Sequence, residues 1–240
     1  MNDILEVVKI NVEKAVASGI RFTAVFDLDS TLFDVAPRLL QILRDFSLDN
    51  AMRAKFPSAI EILRGTKTVA HTYSLRKQIE FLGLVNQPPD FYPVFYDFWK
   101  TRFFSNEYLH FDTPYDGAVD YVGERYKSGA GIIYLTGRDV ERMGWGTREV
   151  LLKWGFPVGN RCEIALKPEK EMDDAVYKRD FLSQLPRESH EVWFFENEPV
   201  NIDLVLREVN HVNVVYFDSV HSELAEPPHP QVVPHIKRFR

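Results

Sequence analysis

Cysteine is nearly absent from this sequence. Cys162 is the single one in 240 residues, so no disulfide can close within the chain and no zinc site can rest on paired thiolates. No uninterrupted apolar run approaches the length of a membrane span. Basic residues form no stripe: the best cluster, Lys237-Arg238-Arg240, is interrupted, and the net charge is -6. Neither a nucleic-acid footprint nor a membrane segment is therefore expected. The seven histidines show no ligand spacing, and His221, His229 and His235 read as surface residues. The first residues, Met1-Asn2-Asp3-Ile4-Leu5-Glu6, begin acidic and lack the basic start and apolar segment of a secretory signal. A cytoplasmic protein in a reducing compartment is expected. The oligomeric state is not legible.

A hydrophobic content of 45% is ample for one full α/β domain with a modest insertion. The chain is organised around Phe22-Thr23-Ala24-Val25-Phe26, whose β-branched and aromatic residues read as a buried strand ending on Asp27 and Asp29. Two carboxylates this close repel, so a bound cation, a shared proton or both must relieve them. Before this strand, Ile4, Val7, Val8, Val12 and Ala15 recur at helical spacing up to Gly19. After it, from 34 to about 110, the apolar residues follow helical spacing with no strand-like alternation, which suggests an inserted unit of about four helices. The aromatic stretch from Phe91 to Phe104 is expected to be chiefly the core of that unit, with a minority of rings on a substrate pocket.

Past Pro114 the pattern alternates. A helix over Tyr115–Lys127 leads to a strand, Gly131–Leu135, ending at Thr136-Gly137-Arg138-Asp139. A helix over Val140–Trp154, a short strand at Cys162–Leu166 and a helix over Asp174–Leu185 come next. The strand Val192–Phe195 ends on Glu196-Asn197-Glu198-Pro199, and Ile202–Val209 and Val212–Phe217 read as a last helix and strand. The segment from Pro227 reads as irregular. Alternating strands and helices predict a doubly wound parallel sheet, with the polar ends of three strands meeting along one edge.

Four strings carry a resemblance. Asp27-Leu28-Asp29-Ser30-Thr31-Leu32 is similar to motif I, DxDx[TV], of the haloacid dehalogenase-like (HAD) superfamily. Leu135-Thr136-Gly137-Arg138 resembles its motif II, Lys178 in Tyr177-Lys178-Arg179-Asp180 its motif III, and Phe195-Glu196-Asn197-Glu198-Pro199 its motif IV. Motif IV departs from the usual pair of aspartates or Gly-Asp and is nearer to a subset with Asp-Asn-x-Pro. By position Asn197 is taken as the metal ligand, with Glu196 as a second-shell or water-mediated partner; Glu196 as the direct ligand stays open. Lys167 competes with Lys178 for motif III, and Lys178 is preferred because it lies on the helix leading into the strand that ends at Glu196.

The resemblance implies a Rossmann-like core over 1–33 and 111–240 and a small helical cap over 34–110. It also implies a phosphatase acting on a small phosphorylated metabolite. In that reading Asp27 attacks phosphorus to give an aspartyl-phosphate, and Asp29 protonates the leaving oxygen and then deprotonates water. Thr136, the Gly137 amide and Lys178 stabilise the phosphoryl oxygens. Mg²⁺ is held by Asp27, the Asp29 carbonyl, Asn197 and waters, with Glu196 near. The dehalogenases of the superfamily lack the second aspartate, so Asp29 favours a phosphatase. A phosphotransferase or phosphomutase with the same nucleophile, a catalytically silent phosphate-binding regulatory module, and a helix-bundle interaction protein remain as rivals.

Overall fold

The computed structural model describes residues 3–240. Helix α1 (Ile4–Ala17) starts at Asp3, whose carboxylate accepts from the Leu5 amide, and lays Leu5, Val8, Val12 and Ala15 on the sheet. Strand β1 (Arg21–Phe26) follows. After it come the short strand β2 (Phe33–Asp34) and helices α2 (Ala36–Leu48), α3 (Asn50–Lys55), α4 (Pro57–Arg64), α5 (Leu75–Phe81) and α6 (Phe91–Phe103). A 3₁₀ turn (Asn106–Phe111) leads to β3 (Thr113–Pro114), then α7 (Ala118–Lys127), β4 (Gly131–Asp139), α8 (Val140–Trp154) and β5 (Cys162–Lys167). The chain closes with α9 (Asp174–Ser183), β6 (His190–Glu196), α10 (Pro199–Glu208), β7 (Val212–Phe217) and β8 (His235–Ile236). Among the described residues no helix is long and apolar enough to cross a membrane.

Six strands form one parallel sheet in the order β5-β4-β1-β6-β7-β8. Side chains alternate between its faces, as period-2 geometry requires. Ala24, Phe26, Ile132, Tyr134, Trp193 and Phe195 join the cluster under α1, α7 and α8. Val25, Ile133, Leu135, Val192 and Phe194 join the cluster under α9 and α10. The sheet is thus doubly wound, and its order reverses beside β1: β4 and β5 lie on one side, β6 and β7 on the other. That reversal opens a crevice at the carboxyl ends of β1, β4 and β6.

The segment 36–103 has its own cluster, in which Leu39, Ile42, Leu43 and Phe46 of α2 meet Ala59, Ile60 and Leu63 of α4 and Phe91, Phe95 and Phe98 of α6. It holds five α-helices rather than about four. Asp49 caps α3 through the Met52 amide and Pro57 starts α4, so a short helix of its own stands between α2 and α4. It is also flanked by strands: where the chain leaves and re-enters the sheet region, β2 and β3 pair antiparallel, Phe33 with Pro114 and Asp34 with Thr113.

From Pro227 the C-terminal segment is irregular as expected except at His235–Ile236, yet it is packed on the sheet. β8 adds to the sheet edge beside β7, and Phe239, 3% exposed, stacks on Phe217 with ring centroids 5.1 Å apart. His235 accordingly is half-buried, its Nε2 2.8 Å from the Pro228 carbonyl oxygen. The approach of this segment also fixes Gly117. Its φ is +79°, and a Cβ there would stand 2.6 Å from the Phe239 carbonyl oxygen. Replacing Phe239 by Ala should cost about 3–5 kcal/mol of stability, read from urea unfolding; a loss below about 1 kcal/mol would place the ring outside the core.

Candidate active site

The β1–β6 pairing extends one residue past β1, since the Asp27 amide donates to the Phe195 carbonyl at 2.9 Å. The chain then turns tightly: the Leu28 carbonyl accepts from the amides of Thr31, Leu32 and Phe33, and Ser30 takes a left-handed φ of 64°. This turn sends Asp27 and Asp29 to different partners.

Asp27 is buried. Lys178, buried on α9, donates to Asp27 Oδ1 at 2.6 Å and to Glu196 Oε2 at 2.7 Å. Glu196 is filled on both oxygens: Oε1 accepts the amides of Asn197 and Glu198 at 3.0 Å each, and Oε2 also accepts from Asn201 at 3.1 Å. Asp27 Oδ2 is buried with no hydrogen-bond partner. Two carboxylates therefore share one ammonium. Burial pushes the Asp27 carboxyl up to about 7, with the Glu196 and Asp29 charges adding to it against the pull of Lys178. Burial works against the charge on Lys178 too, but Asp27 and Glu196 outweigh it and hold the ammonium above the usual lysine range.

Asp29 belongs to a second set. Arg38 of α2 donates to its Oδ1 at 2.7 Å, and Arg138 donates to Oδ1 at 2.7 Å and to Oδ2 at 3.0 Å. Both guanidinium groups also reach Asp112, Arg38 at 2.7 Å through Nε and Arg138 at 2.8 Å through Nη2. Arg38 is fully buried, and its Nη1 donates to the Phe103 carbonyl at the end of α6 at 3.1 Å. Burial disfavours the Asp29 charge, yet Arg138 and Arg38 outweigh it and hold this carboxyl well below the usual carboxylate range. About a third of the side chain (34%) stays open to the cavity.

Thr136 is buried near the end of β4, its hydroxyl accepting the Arg138 amide at 3.3 Å. Next to it, a Cβ at Gly137 would stand 2.3 Å from Asp174 Oδ2, so a side chain there would have to push the Asp174 carboxylate away from its place. Asp174 Oδ1 in turn accepts from Lys167 at 2.6 Å, and Lys167 also holds the Met172 carbonyl at 2.8 Å. Lys167 thus braces the loop between β5 and α9, whereas Lys178 touches Asp27. Asn197 Oδ1 accepts from the Thr31 hydroxyl at 3.1 Å, and its amide nitrogen donates to the Val220 carbonyl.

One cavity of about 650 Å³ brings together Asp27, Asp29, Thr136, Gly137, Lys178, Glu196 and Asn197, together with residues of α2, α5 and α6. Among the described residues no three His, Cys, Asp or Glu side chains converge to hold a metal ion, so a cation here has to draw on amide and carbonyl oxygens as well. Sequence reading missed Arg38, Asp112 and Asn201, and it quoted Arg138 without a role. Arg138 had a signal, standing two residues from Thr136. For Arg38 and Asp112 no local signal exists, since a lone charge on an amphipathic helix or before Thr-Pro looks solvated.

Replacing Arg38 by Met leaves the buried Asp112 with one guanidinium and should cost about 3–5 kcal/mol in chemical denaturation. Replacing Lys77, whose pair with Glu223 is about half exposed on both sides, should cost under about 1 kcal/mol. Equal losses would mean that the buried network does not hold the fold together.

No family model and no curated protein sequence matches the chain. Solved structures do match it in fold. A HAD-superfamily hydrolase of subfamily IA from Geobacter sulfurreducens is 15% identical, with 85% of this chain and 92% of that one covered at a TM-score of 0.50. Protein Tyrosine Kinase A from Mycobacterium tuberculosis is 14% identical, with 90% and 93% covered at a TM-score of 0.51. A doubly wound parallel sheet with acids at the carboxyl ends of β1 and β6, matched in outline by such a hydrolase, gives this chain the α/β fold of the haloacid dehalogenase-like superfamily.

Proposed function

We propose that the chain is a Mg²⁺-dependent phosphatase that hydrolyses a small phosphate monoester through Asp27. The observation that carries this reading is the pairing of a buried, partnerless Asp27 oxygen with a lysine held charged beside it, at the floor of a cavity. A carboxylate in that position is poised for nucleophilic attack rather than for surface solvation.

The donor set suits a hard cation. Asp27 Oδ2 lacks a partner, Asn197 Oδ1 accepts only one hydroxyl, and both are oxygens. With the Asp29 carbonyl they would hold Mg²⁺, which offsets the charge that a phosphoryl group brings to two carboxylates. Glu196 is left out of this ligand set, because Lys178, Asn201 and two backbone amides occupy its oxygens. Its role is to orient Lys178.

In the reaction the Asp27 carboxylate forms a bond to phosphorus as the bond to the ester oxygen breaks, and the leaving oxygen takes a proton from solvent water and departs as the alcohol. Lys178, the Thr136 hydroxyl and the Gly137 amide stabilise the equatorial oxygens. Water then attacks the aspartyl-phosphate, frees phosphate and restores Asp27. Asp29, about a third open to the cavity (34%), is placed to accept a hydrogen bond from that water and pass its proton on to solvent, although its arginines weaken it as a base. The same arginines work against the acid half of the role that the resemblance implies. Helices α2–α6 serve as a cap that keeps bulk water from the cavity.

Phosphate release from a panel of small esters should require Mg²⁺. Asp27→Asn should lose at least about a thousandfold in kcat while keeping its circular dichroism; retained turnover would remove Asp27 as nucleophile. Asn197→Ala should raise the Mg²⁺ concentration for half-maximal rate about ten- to a hundredfold, and an unaltered requirement would take Asn197 out of the ligand set.

A further inference from the structure

Away from Asp27 one side of the cavity is aromatic, while polar residues such as Tyr73, Tyr115 and Ser222 line other parts of it. Trp99, Phe103 and Phe104 form one aromatic wall, with ring centroids 5.1 Å apart for Trp99–Phe103 and for Phe103–Phe104, and 5.7 Å for Trp99–Phe104. The Arg38 guanidinium, 4.5 Å from the Phe103 centroid, backs this wall. All three rings are half-buried; Arg38 covers one face of Phe103 and Arg142, 5.2 Å from the Phe104 centroid, one face of Phe104, and the remaining ring surface borders the cavity. Leu39, Leu75 and Val69 continue the apolar lining.

Charge on the walls points the same way. Among the described residues the only lysine and arginine lining the cavity are Lys178 and Arg138, and each already serves two carboxylates. Asp34, Asp173, Asp174 and Glu198 line it as well. A second phosphate or a carboxylate on the leaving group would meet these acids and, among the lining residues, the exposed His71 as the one base outside the acid clusters. The amide of Gln78 is spent on the protein: Oε1 accepts the Ala70 amide at 2.8 Å, and Nε2 donates to the Ala70 and Thr72 carbonyls at 2.6 and 3.3 Å. It therefore holds the loop over the cavity and is not free for sugar hydroxyls. The volume of about 650 Å³ admits a bicyclic ring system beside a phosphate.

We propose that this wall is a leaving-group subsite, and that the substrates are phosphate monoesters of large, uncharged aromatic or arylalkyl alcohols. This rests on the phosphatase reading and goes further by naming the substrate class. Trp99 is its specificity-determining residue, since it touches both Phe103 and Phe104.

The test compares 2-(2-naphthyl)ethyl phosphate, glucose 6-phosphate and fructose 1,6-bisphosphate with Mg²⁺ present. All leave primary alkoxides, so intrinsic reactivity is nearly constant and the ratios read the pocket. The naphthyl ester should exceed glucose 6-phosphate about a hundredfold in kcat/KM, with the bisphosphate slowest. Trp99→Ala should shrink that ratio about tenfold. Equal or faster turnover of glucose 6-phosphate by the wild type overturns the substrate class and leaves the phosphatase reading intact, whether or not the variant folds. If no ester is turned over, calorimetry with 3-(2-naphthyl)propylphosphonate and ethylphosphonate decides. Tighter binding of the naphthyl compound, weakened in Trp99→Leu, supports the subsite while overturning the phosphatase reading; equal binding of the two overturns both.

Discussion

Four buried or half-buried carboxylates crowd the carboxyl ends of β1 and β6 and the return from the 3₁₀ turn, and three cations hold them there. They divide into two sets. Arg38 and Arg138 balance Asp29 and Asp112 one for one, whereas Lys178 alone faces Asp27 and Glu196. The first set is balanced in charge. The second carries one negative charge too many, in a place where water cannot screen it. Burial first, and that imbalance with it, is why the Asp27 carboxyl resists ionisation, and in the proposed reading it is why the divalent cation is placed at Asp27 rather than in the arginine set.

The division also explains which parts of the molecule were legible in sequence. Asp27, Asp29, Thr136, Lys178 and Asn197 each sit in a short string next to a strand or on the helix before one, so local pattern places them. The sheet order then brings the strings together, because β1 lies between β4 and β6. Arg38, Asp112 and Phe239 depend on contacts between distant positions, and nothing in their neighbourhoods announces burial. The C-terminal segment is the plainest case: its prolines and histidines read as irregular, while Ile236 and Phe239 pack into the core. Glu196 and Lys167 are intermediate. The residues were visible, but only hydrogen-bond saturation shows that one orients Lys178 and the other braces a loop.

The aromatic stretch of α6 shows one helix doing two jobs through its period. Phe91, Phe95 and Phe98 lie at spacings of four and three, on the face packed into the cluster of α2 and α4. Trp99 and Phe103, one and five positions beyond Phe98, turn toward the cavity. Core and cavity wall are thus adjacent stripes of the same helix, so the packing of Phe91, Phe95 and Phe98 sets where Trp99 and Phe103 stand.

The segment over the cavity is joined to the sheet region by contacts of very unequal strength. At one side Arg38 ties the start of α2, the end of α6 and Asp112 to Asp29 through buried, charge-assisted hydrogen bonds. At the other, Lys77 of α5 meets Glu223 in an ion pair about half exposed on each side. Separating the buried set strands charges in a low-dielectric interior, whereas water replaces the exposed pair at little cost. Any widening of the cavity therefore meets least resistance at the α5 rim, where Gln78 carries its loop as one unit, and most at the arginine pin. The pin holds the end of α6 beside Asp29 and Asp112, so the same charges that settle the acid cluster also position the aromatic wall above it.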